Sequence, residues 1–133
     1  MDLEILKIAS NNENNKVLNT YTHSSKLKNS LCGDEISLSV NIKNLKVIDV
    51  GYSCNSCIYC EASASLLAKL IKKKKINEIN KLIFQATNFF RDNVQLFTSE
   101  WSLLNKIFNK KNTSRKECII LPFKALKKAL KII

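Results

Sequence analysis

The chain has 133 residues, of which 45% are hydrophobic and 25% are charged, and its formal net charge is +11. This length allows one domain with a buried core and excludes two ordinary domains, so we expect a single domain over residues 1–133. The composition excludes a disordered chain, and no apolar run reaches the roughly 18–20 residues that cross a bilayer. With no signal-like N-terminus, the sequence predicts a soluble, cytoplasmic protein without a membrane partner.

The positive charge is weak support for a nucleic-acid partner. It comes from 20 lysines and two arginines, alongside 16 asparagines, whereas base and phosphate recognition favours the arginine fork. The sequence therefore disfavours nucleic acid as the main partner and leaves a basic nucleic-acid-binding zinc domain as a distant alternative.

The first 30 residues predict one short helix followed by irregular chain. Residues 3–10 form an amphipathic helix whose apolar side contains Leu3, Leu6 and Ile5. The polar stretch over residues 11–30 has no clear period and predicts a surface loop or extended arm.

Residues 35–52 predict two antiparallel strands. The first, EISLSVNI, alternates apolar and polar side chains, which is typical of a half-buried strand. A tight turn at Lys43 and Asn44 makes the next strand, LKVIDVGY, antiparallel to it. Gly51 predicts a bulge or a close backbone approach, and SCNSC is a candidate third strand.

The period becomes helical from Glu61. One helix runs from there to the lysines at 72–75, and residues 77–109 predict one or two more. Their apolar positions include aromatic residues that we expect in the core: Phe89, Phe90, Phe97, Trp101 and Phe108. A loop over KKNTSRKE precedes a last helix that begins near Pro122. Strands early and helices late predict an α+β fold.

Three of the five cysteines form the run SCNSCIYC. In a cytoplasmic chain, cysteines favour metal binding or sulfur chemistry over structural disulfides. Cys54, Cys57 and Cys60 match the start of a ferredoxin C-x2-C-x2-C-x3-C-P run, but Ala64 occupies the fourth position and no proline follows. A self-contained ferredoxin cluster is therefore disfavoured.

A metal site distributed along the chain is the better hypothesis. Cys32 precedes the first strand, beside Gly33 for a tight turn and Asp34 as a carboxylate. Cys57 lies where a strand gives way to a helix, and Cys118 precedes the last helix. Three thiolates and one carboxylate suit tetrahedral zinc or an iron–sulfur cluster with one oxygen ligand, although spacing alone does not show that these groups meet.

Three blocks of sequence resemble the NifU N-terminal-domain family, the iron–sulfur cluster scaffolds of the IscU and SufU kind. NSLCGDEISLSV is similar to the family's N-P-x-C-G-D-x-I/V-x-L-x-V, and SCIYCEASASLLAKLIKKKKINEI to its G-C-x-I-x-x-A-S-A-S-x-L-x-x-x-I-x-G-K-x-x-x-E. SRKECIILPFKALKKAL resembles its ending, R-x-K-C-x-x-L-P/S-W/F-x-A-L-x-x-A-L. The blocks occur in the family's order and cover about half of the chain.

The resemblance implies a SufE/NifU-like fold: a small three-stranded antiparallel sheet with helices packed on one face. It also implies that zinc, iron or a transient [2Fe–2S] cluster is bound by Cys32, Asp34, Cys57 and Cys118. Gly33 and Arg115 would support this site, and Cys57 and Cys118 would be the candidates for accepting sulfur. The separation of 61 residues between Cys57 and Cys118 looks like the SufU branch.

The function that the resemblance implies is a scaffold, more a binding protein than an enzyme, that passes a nascent cluster to acceptor apo-proteins. A zinc-dependent sulfur acceptor for a cysteine desulfurase, with sulfurtransferase-type activity, is the alternative, and a purely structural zinc domain is another. Cys54 and Cys60 have no counterpart in the family pattern. We expect Cys60 to serve packing, with a spare ligand or resolving thiol as the alternative, and Cys54 to be a lid thiol or to have no role.

Overall fold

The computed structural model describes residues 3–31, 33–91 and 96–131, and it forms a three-stranded antiparallel sheet with helices packed on one face. The strands, in the order β1–β2–β3, are β1 (His23–Lys28), β2 (Glu35–Lys43) and β3 (Lys46–Asn55). The helices are α1 (Leu3–Ala9), α2 (Ile58–Ile71), α3 (Ile76–Thr87) and α4 (Lys116–Ala129), with 3-10 segments at Ser99–Lys106 and Lys110–Arg115. The predicted α+β fold is confirmed.

One face of the sheet is buried because β2 alternates as predicted. Its apolar side chains Ile36, Leu38 and Val40 are all buried, and Leu38 pairs across the ladder with the buried Tyr52 of β3. Helices α2 and α4 pack on this face, where removal of apolar surface from water is the main stabilising contribution. The hydroxyl of Ser25 in β1 donates a 2.6 Å hydrogen bond to a carbonyl of α4, which fixes this helix on the sheet.

The arm after α1 crosses the other face of the sheet at Gly51. The N–H of Tyr52 donates to the carbonyl of Asn14 at 3.1 Å, and Leu18 is buried. A Cβ added to Gly51 would lie 2.5 Å from the carbonyl oxygen of Lys16. The close backbone approach predicted at this glycine is therefore confirmed, and it attaches the arm to β3.

The structure corrects the predicted strands. Part of the predicted arm is strand β1, whose sequence HSSKLK has a single large apolar side chain and so lacks a clear alternation. SCNSC is no separate strand, because β3 continues unbroken to Asn55. The turn lies at Asn44 and Leu45, both with positive φ of 54° and 63°, one residue later than predicted.

The helix boundaries also differ from the prediction. Helix α1 buries Ile5, as predicted, but Leu3 is 76% and Leu6 39% exposed, so these two residues of the predicted apolar side do not face the core. Helix α2 begins at Ile58 rather than Glu61. Helix α4 begins at Lys116, so Pro122 lies inside it rather than in its first turn, and the predicted KKNTSRKE loop is a 3-10 segment that leads into α4.

Aromatic rings fill the core between α3 and α4, as predicted. Phe108 lies at the centre, with its ring centroid 5.1 Å from that of Phe97 and 5.3 Å from those of Phe89 and Phe123. Val94 and Ile133, apolar positions of the helical patterns over residues 77–109 and in the last helix, lie outside the described residues. Over the part of the chain that the structure describes, no helix is long and apolar enough to cross a membrane.

Candidate metal centre

The strand register explains why Asp34 and Cys57 meet although 23 residues separate them. Glu35 at the start of β2 pairs with Asn55 at the end of β3. Asp34 directly precedes this pair, and Cys57 follows it by two residues as the N-cap of α2. The strand-to-helix junction that was predicted for Cys57 is therefore present, and it lies beside Asp34.

The carboxylate of Asp34 holds Cys57 through two hydrogen bonds. Its Oδ1 accepts the backbone N–H of Cys57 at 3.1 Å, and its Oδ2 accepts the Cys57 thiol at 3.4 Å. The first bond satisfies one of the amide groups that a helix N-terminus leaves without a partner, and the negative charge suits the positive end of the helix dipole. Asp34 is only 6% exposed, so both bonds are shielded from water.

A tight turn between β1 and β2 fixes the backbone of Asp34. The N–H of Gly33 donates to the carbonyl of Asn29, and the N–H of Asn29 donates to the carbonyl of Asp34, both at 2.7 Å. Gly33 has φ of +77°, a conformation that glycine adopts at little cost. Cys32, the first predicted ligand, lies outside the described residues.

Cys118 reaches the same place from α4. It is the third residue of this helix, not a residue before it as predicted, and it is 4% exposed. The hydroxyl of Ser63 in α2 donates a 2.5 Å hydrogen bond to the carbonyl of Ile119, the residue after Cys118. This buried bond joins α2 to the first turns of α4 and so positions Cys118 relative to Cys57.

Three of the four predicted ligands therefore converge. A carboxylate oxygen of Asp34 and the sulfur atoms of Cys57 and Cys118 all lie within 4.8 Å of one another. Neighbouring ligand atoms around tetrahedral zinc are about 3.7 Å apart, given zinc–sulfur bonds of about 2.3 Å. The group thus needs only a small contraction to surround one ion, and thiolate with carboxylate suits zinc or ferrous iron.

Cys54 and Cys60 lie outside this group of converging ligand atoms. Cys54 lies on β3 and is partly exposed, whereas Cys60 lies in the first turn of α2 and is fully buried. Interaction with the Cys60 thiol is the main cause that lowers the pKa of Cys54. The corresponding interaction with Cys54, together with burial, raises the pKa of Cys60.

Arg115 lies at the N-cap of α4, with its guanidinium 5.4 Å from the centroid of the Tyr59 ring in α2. It therefore spans the two helix N-termini that carry Cys57 and Cys118. His23, by contrast, lies at the far end of β1 from Asp34, five residues or roughly 17 Å along the strand from Lys28. It cannot join the group.

Comparisons with known proteins agree with this architecture. A family model described as the NifU-like N-terminal domain matches residues 2–96. The chain is 36% identical over 110 residues to the iron–sulfur cluster assembly scaffold protein IscU of Thermotoga maritima, covering 80% of this chain and 75% of that protein.

Two solved structures share the fold. A NifU-like protein (N-terminal) from Brucella abortus superposes with a TM-score of 0.89 at 17% identity, covering 98% of this chain and 91% of that one. A SufU assembly scaffold of Fervidobacterium islandicum gives 0.88 at 22% identity, covering 98% and 96%. Since IscU and SufU proteins both match, the SufU branch stays a prediction. The chain belongs to the family of NifU-like N-terminal domains.

Proposed function

We propose that this chain is an iron–sulfur cluster assembly scaffold that binds iron, zinc or a nascent [2Fe–2S] cluster and passes it to acceptor apo-proteins. The observation that supports this most is the convergence of Asp34, Cys57 and Cys118 within 4.8 Å. The name of the T. maritima relative points to the same activity. The proposed ligands are the converging three together with Cys32, which follows from the family resemblance.

The burial of the ligands suits a site that loads and releases its cargo. Asp34 and Cys118 are buried, whereas Cys57 is partly exposed, so the metal or cluster would be reached past Cys57. A carboxylate is a weaker ligand for a soft metal than a thiolate. Asp34 would therefore be the ligand that leaves first, opening a position for incoming sulfur or for a ligand of the acceptor.

A zinc-dependent sulfur acceptor for a cysteine desulfurase is the second candidate function. The partial exposure of Cys57 favours it, because a sulfur donor must reach the accepting thiolate. In this function Cys57 would carry the sulfur as a persulfide, with Cys118 as the other candidate. The partner would be the desulfurase, and the activity would be of the sulfurtransferase type.

Metal analysis and a visible absorption spectrum of anaerobically purified protein test the binding site. We expect about one zinc or one [2Fe–2S] cluster per chain, the capacity of one such ligand set. Cys57→Ser combined with Cys118→Ser should abolish binding. Cys54→Ser combined with Cys60→Ala is the matched control, since it also removes two thiols but spares the ligands. Full metal retention in the first double variant would refute the proposed site.

Incubation with a cysteine desulfurase and cysteine separates the two functions. Cluster formation on added iron, followed by transfer to an apo-ferredoxin, supports the scaffold. A persulfide on Cys57 with zinc still bound supports the sulfur acceptor.

A further inference from the structure

A groove with a volume of about 510 Å³ lies between α3 and α4. Each wall is one stripe of a helix, with steps of three or four residues, the spacing of side chains that share a helix face. The α3 wall runs from Asn80 through Phe84 to Thr87, and Arg91 follows beyond the helix. The α4 wall consists of Lys116, Ile120, Lys124 and Lys127.

The floor of the groove is apolar, and one aromatic ring beside it is open to water. Ile83 and Ile120 are buried on the floor, whereas Phe84 is 72% exposed. The half-buried Phe90 is held from behind by Phe108, whose ring stacks on it at a centroid distance of 5.8 Å. Covering such an apolar surface removes it from water, which stabilises a complex.

The polar side chains of the groove are hydrogen-bonded to their own helix. The Thr87 hydroxyl donates to the carbonyl of Ile83 at 2.8 Å, and the side-chain amide of Asn88 donates to the carbonyl of Phe84 at 2.9 Å. A site for a small polar ligand needs polar groups that converge on the ligand, and these two groups are directed elsewhere. Recognition in this groove therefore relies on apolar contact with the floor and on charge at the rim.

The rim of the groove is positive. Among the described residues that line it, four exposed basic side chains face one acid, a net charge of +3: Arg91, Lys116, Lys124, Lys127 and Glu117. The carboxylate of Glu117 lies 3.9 Å from Lys124, a weak pair near the surface. A second copy of this chain would bring a rim of the same sign against this one, which disfavours self-association here. The complement in charge is an acidic partner.

The length of the groove suits a helix. From Lys116 to Lys127 the α4 wall extends roughly 16 Å at about 1.5 Å per residue, which matches about three turns of a second helix. An amphipathic helix binds such a groove through apolar side chains at positions i, i+3 or i+4, and i+7. A flat bilayer would not reach the buried side chains of the floor, so the concave shape favours a helix over a membrane surface.

We propose that the groove between α3 and α4 binds an acidic amphipathic helix of a partner protein. Apolar side chains of that helix pack on Phe84 and Ile120, and its acidic side chains lie beside Lys116 and Lys127. Cys118 lies two residues from both Lys116 and Ile120, about 200° around α4 from each, so the metal centre is on nearly the opposite side of this helix. The partner therefore leaves the metal centre open, and this inference does not depend on the proposed scaffold function.

Fluorescence anisotropy with a designed peptide tests the groove. The probe is a fluorescein-labelled peptide of about 15 residues, with leucines at i, i+4 and i+7 and glutamates on the flanking positions. We expect saturable binding in the micromolar range at about 0.15 M salt, where distant surface charges are screened. A peptide of the same composition with the leucine spacing broken should bind about tenfold more weakly or less, because its anchors no longer share one face.

Two groove variants and one control locate the binding. Phe84→Ser should weaken binding of the peptide about tenfold or more, since it removes the exposed ring. Lys116→Glu combined with Lys127→Glu should weaken it by a similar factor, since it reverses two charges of the rim. Lys7→Glu combined with Lys28→Glu changes the net charge equally at exposed positions of α1 and β1, outside the groove, and should stay within about twofold of the wild type. All of these side chains are exposed, so the variants should fold normally.

Equal binding of the ordered and the broken-spacing peptides, or no binding of either, would overturn the proposal. Wild-type affinity in Phe84→Ser would do so too. Phosphatidylserine vesicles and a DNA duplex serve as competitors: if either displaces the peptide and binds Phe84→Ser as tightly as the wild type, the surface attracts anions generally and the acidic helix is the wrong partner. None of these measurements involves metal, so their failure leaves the tests of the scaffold function unaffected.

Discussion

The hydroxyl of Ser63 in α2 donates a 2.5 Å hydrogen bond to the carbonyl of Ile119 in α4, 56 residues along the chain. Ser63 is fully buried, and Ile119 is the residue after Cys118. The bond therefore sets the position of one ligand from the helix whose N-terminus carries the other, Cys57. Positioning contacts of this kind around a metal site affect affinity through the geometry of the ligands.

Ser63→Ala should consequently weaken metal binding as well as stability. We expect a loss of about 1 kcal/mol in the free energy of unfolding, the usual net value of one hydrogen bond. Zinc affinity, measured by competition with a chromophoric chelator, should fall about tenfold or more, within the range for supporting contacts. Ser65→Ala is the matched control: the Ser65 hydroxyl bonds the carbonyl of Asn11, so this change should lower stability without altering zinc affinity.

Asp34→Ala should affect the site in two ways. It removes the proposed oxygen ligand, and it leaves the Cys57 N–H without its acceptor. We expect zinc affinity to fall about tenfold or more, equivalent to at least about 1.4 kcal/mol. The free energy of unfolding of the metal-free protein should also fall by about 1 kcal/mol, the usual net value of one hydrogen bond.

Asp49→Ala provides the control for this change. Asp49 is a partly exposed aspartate of β3 that accepts the Val50 N–H at 2.9 Å, as Asp34 accepts that of Cys57, and pairs loosely with Lys16 and Lys72, at 3.8 Å each. The ion pairs contribute little. Asp49→Ala should therefore cost no more stability than one hydrogen bond, about 1 kcal/mol, and should leave zinc affinity at the wild-type value. An Asp34→Ala protein with unchanged zinc affinity would remove Asp34 from the ligand set.

The two glycines should separate stability from metal binding. Gly51→Ala would bring its Cβ to 2.5 Å from the Lys16 carbonyl oxygen and 3.0 Å from Leu18, so the arm must move. We expect a loss of about 1–3 kcal/mol in the free energy of unfolding, as for other overpacked sites, and faster proteolysis of the arm. Metal affinity should change little, because the part of the arm that meets Gly51, at Lys16 and Leu18, lies on the face of the sheet opposite α2 and α4.

Gly33→Ala should show the opposite pattern. The added Cβ would meet no atom within 4 Å, but φ of +77° is unfavourable for alanine. Relaxation of this strain, about 1–2 kcal/mol, would move the turn that holds Asp34. We expect a clear loss of zinc affinity, measured in the same competition assay. If Gly51→Ala reduces zinc affinity more than Gly33→Ala does, the assigned roles of the arm and the turn are wrong.

The fold was predictable where the sequence pattern and the burial coincide. The alternation in β2 describes one face against the core, and this strand was predicted correctly. Helix α2 was also predicted, although its start was placed three residues too late and residues 62–68 are buried on all sides of the helix. β1 was missed because its burial depends on Leu27 and on backbone pairing with β2, and pairing leaves no pattern in the side chains of HSSKLK. The start of α4 was misplaced because Pro122 suggests a first turn, whereas here it lies inside the helix.

The candidate site was predictable in its residue types but not in its geometry. The resemblance singled out Asp34, Cys57 and Cys118, and the register of β2 and β3 accounts for the first contact between them. The bond between Ser63 and Ile119 depends on how two helices pack, which sequence spacing does not encode. The C-x2-C-x2-C run does not act as one ligand set, because Cys54 lies near the end of β3, Cys57 is the N-cap of α2 and Cys60 lies in the first turn of this helix.

Tyr52 gives a prediction for alkaline pH. Burial is the main cause that raises the pKa of its phenol to about 12 from 10.0, with a contribution from the nearby Cys54 sulfur and a smaller opposing effect of a Ser65 hydrogen bond. The folded protein thus favours the neutral phenol. The contribution of the neutral Tyr52 phenol to the free energy of unfolding is fully present below pH 10. It is lost as the pH rises toward 12, because the tyrosine of the unfolded chain ionises first. A shift of this size corresponds to about 2–3 kcal/mol.

Tyr52→Phe should therefore flatten the fall in the free energy of unfolding between pH 10 and 12, measured by urea denaturation at each pH in the reduced, metal-free protein. Tyr21→Phe is the matched control, since Tyr21 is 53% exposed and its removal should leave the wild-type dependence on pH. Lysine deprotonation over the same range is common to all three proteins, so the difference between their curves isolates the phenol. Parallel curves for wild type and Tyr52→Phe would mean that the buried phenol does not control alkaline stability.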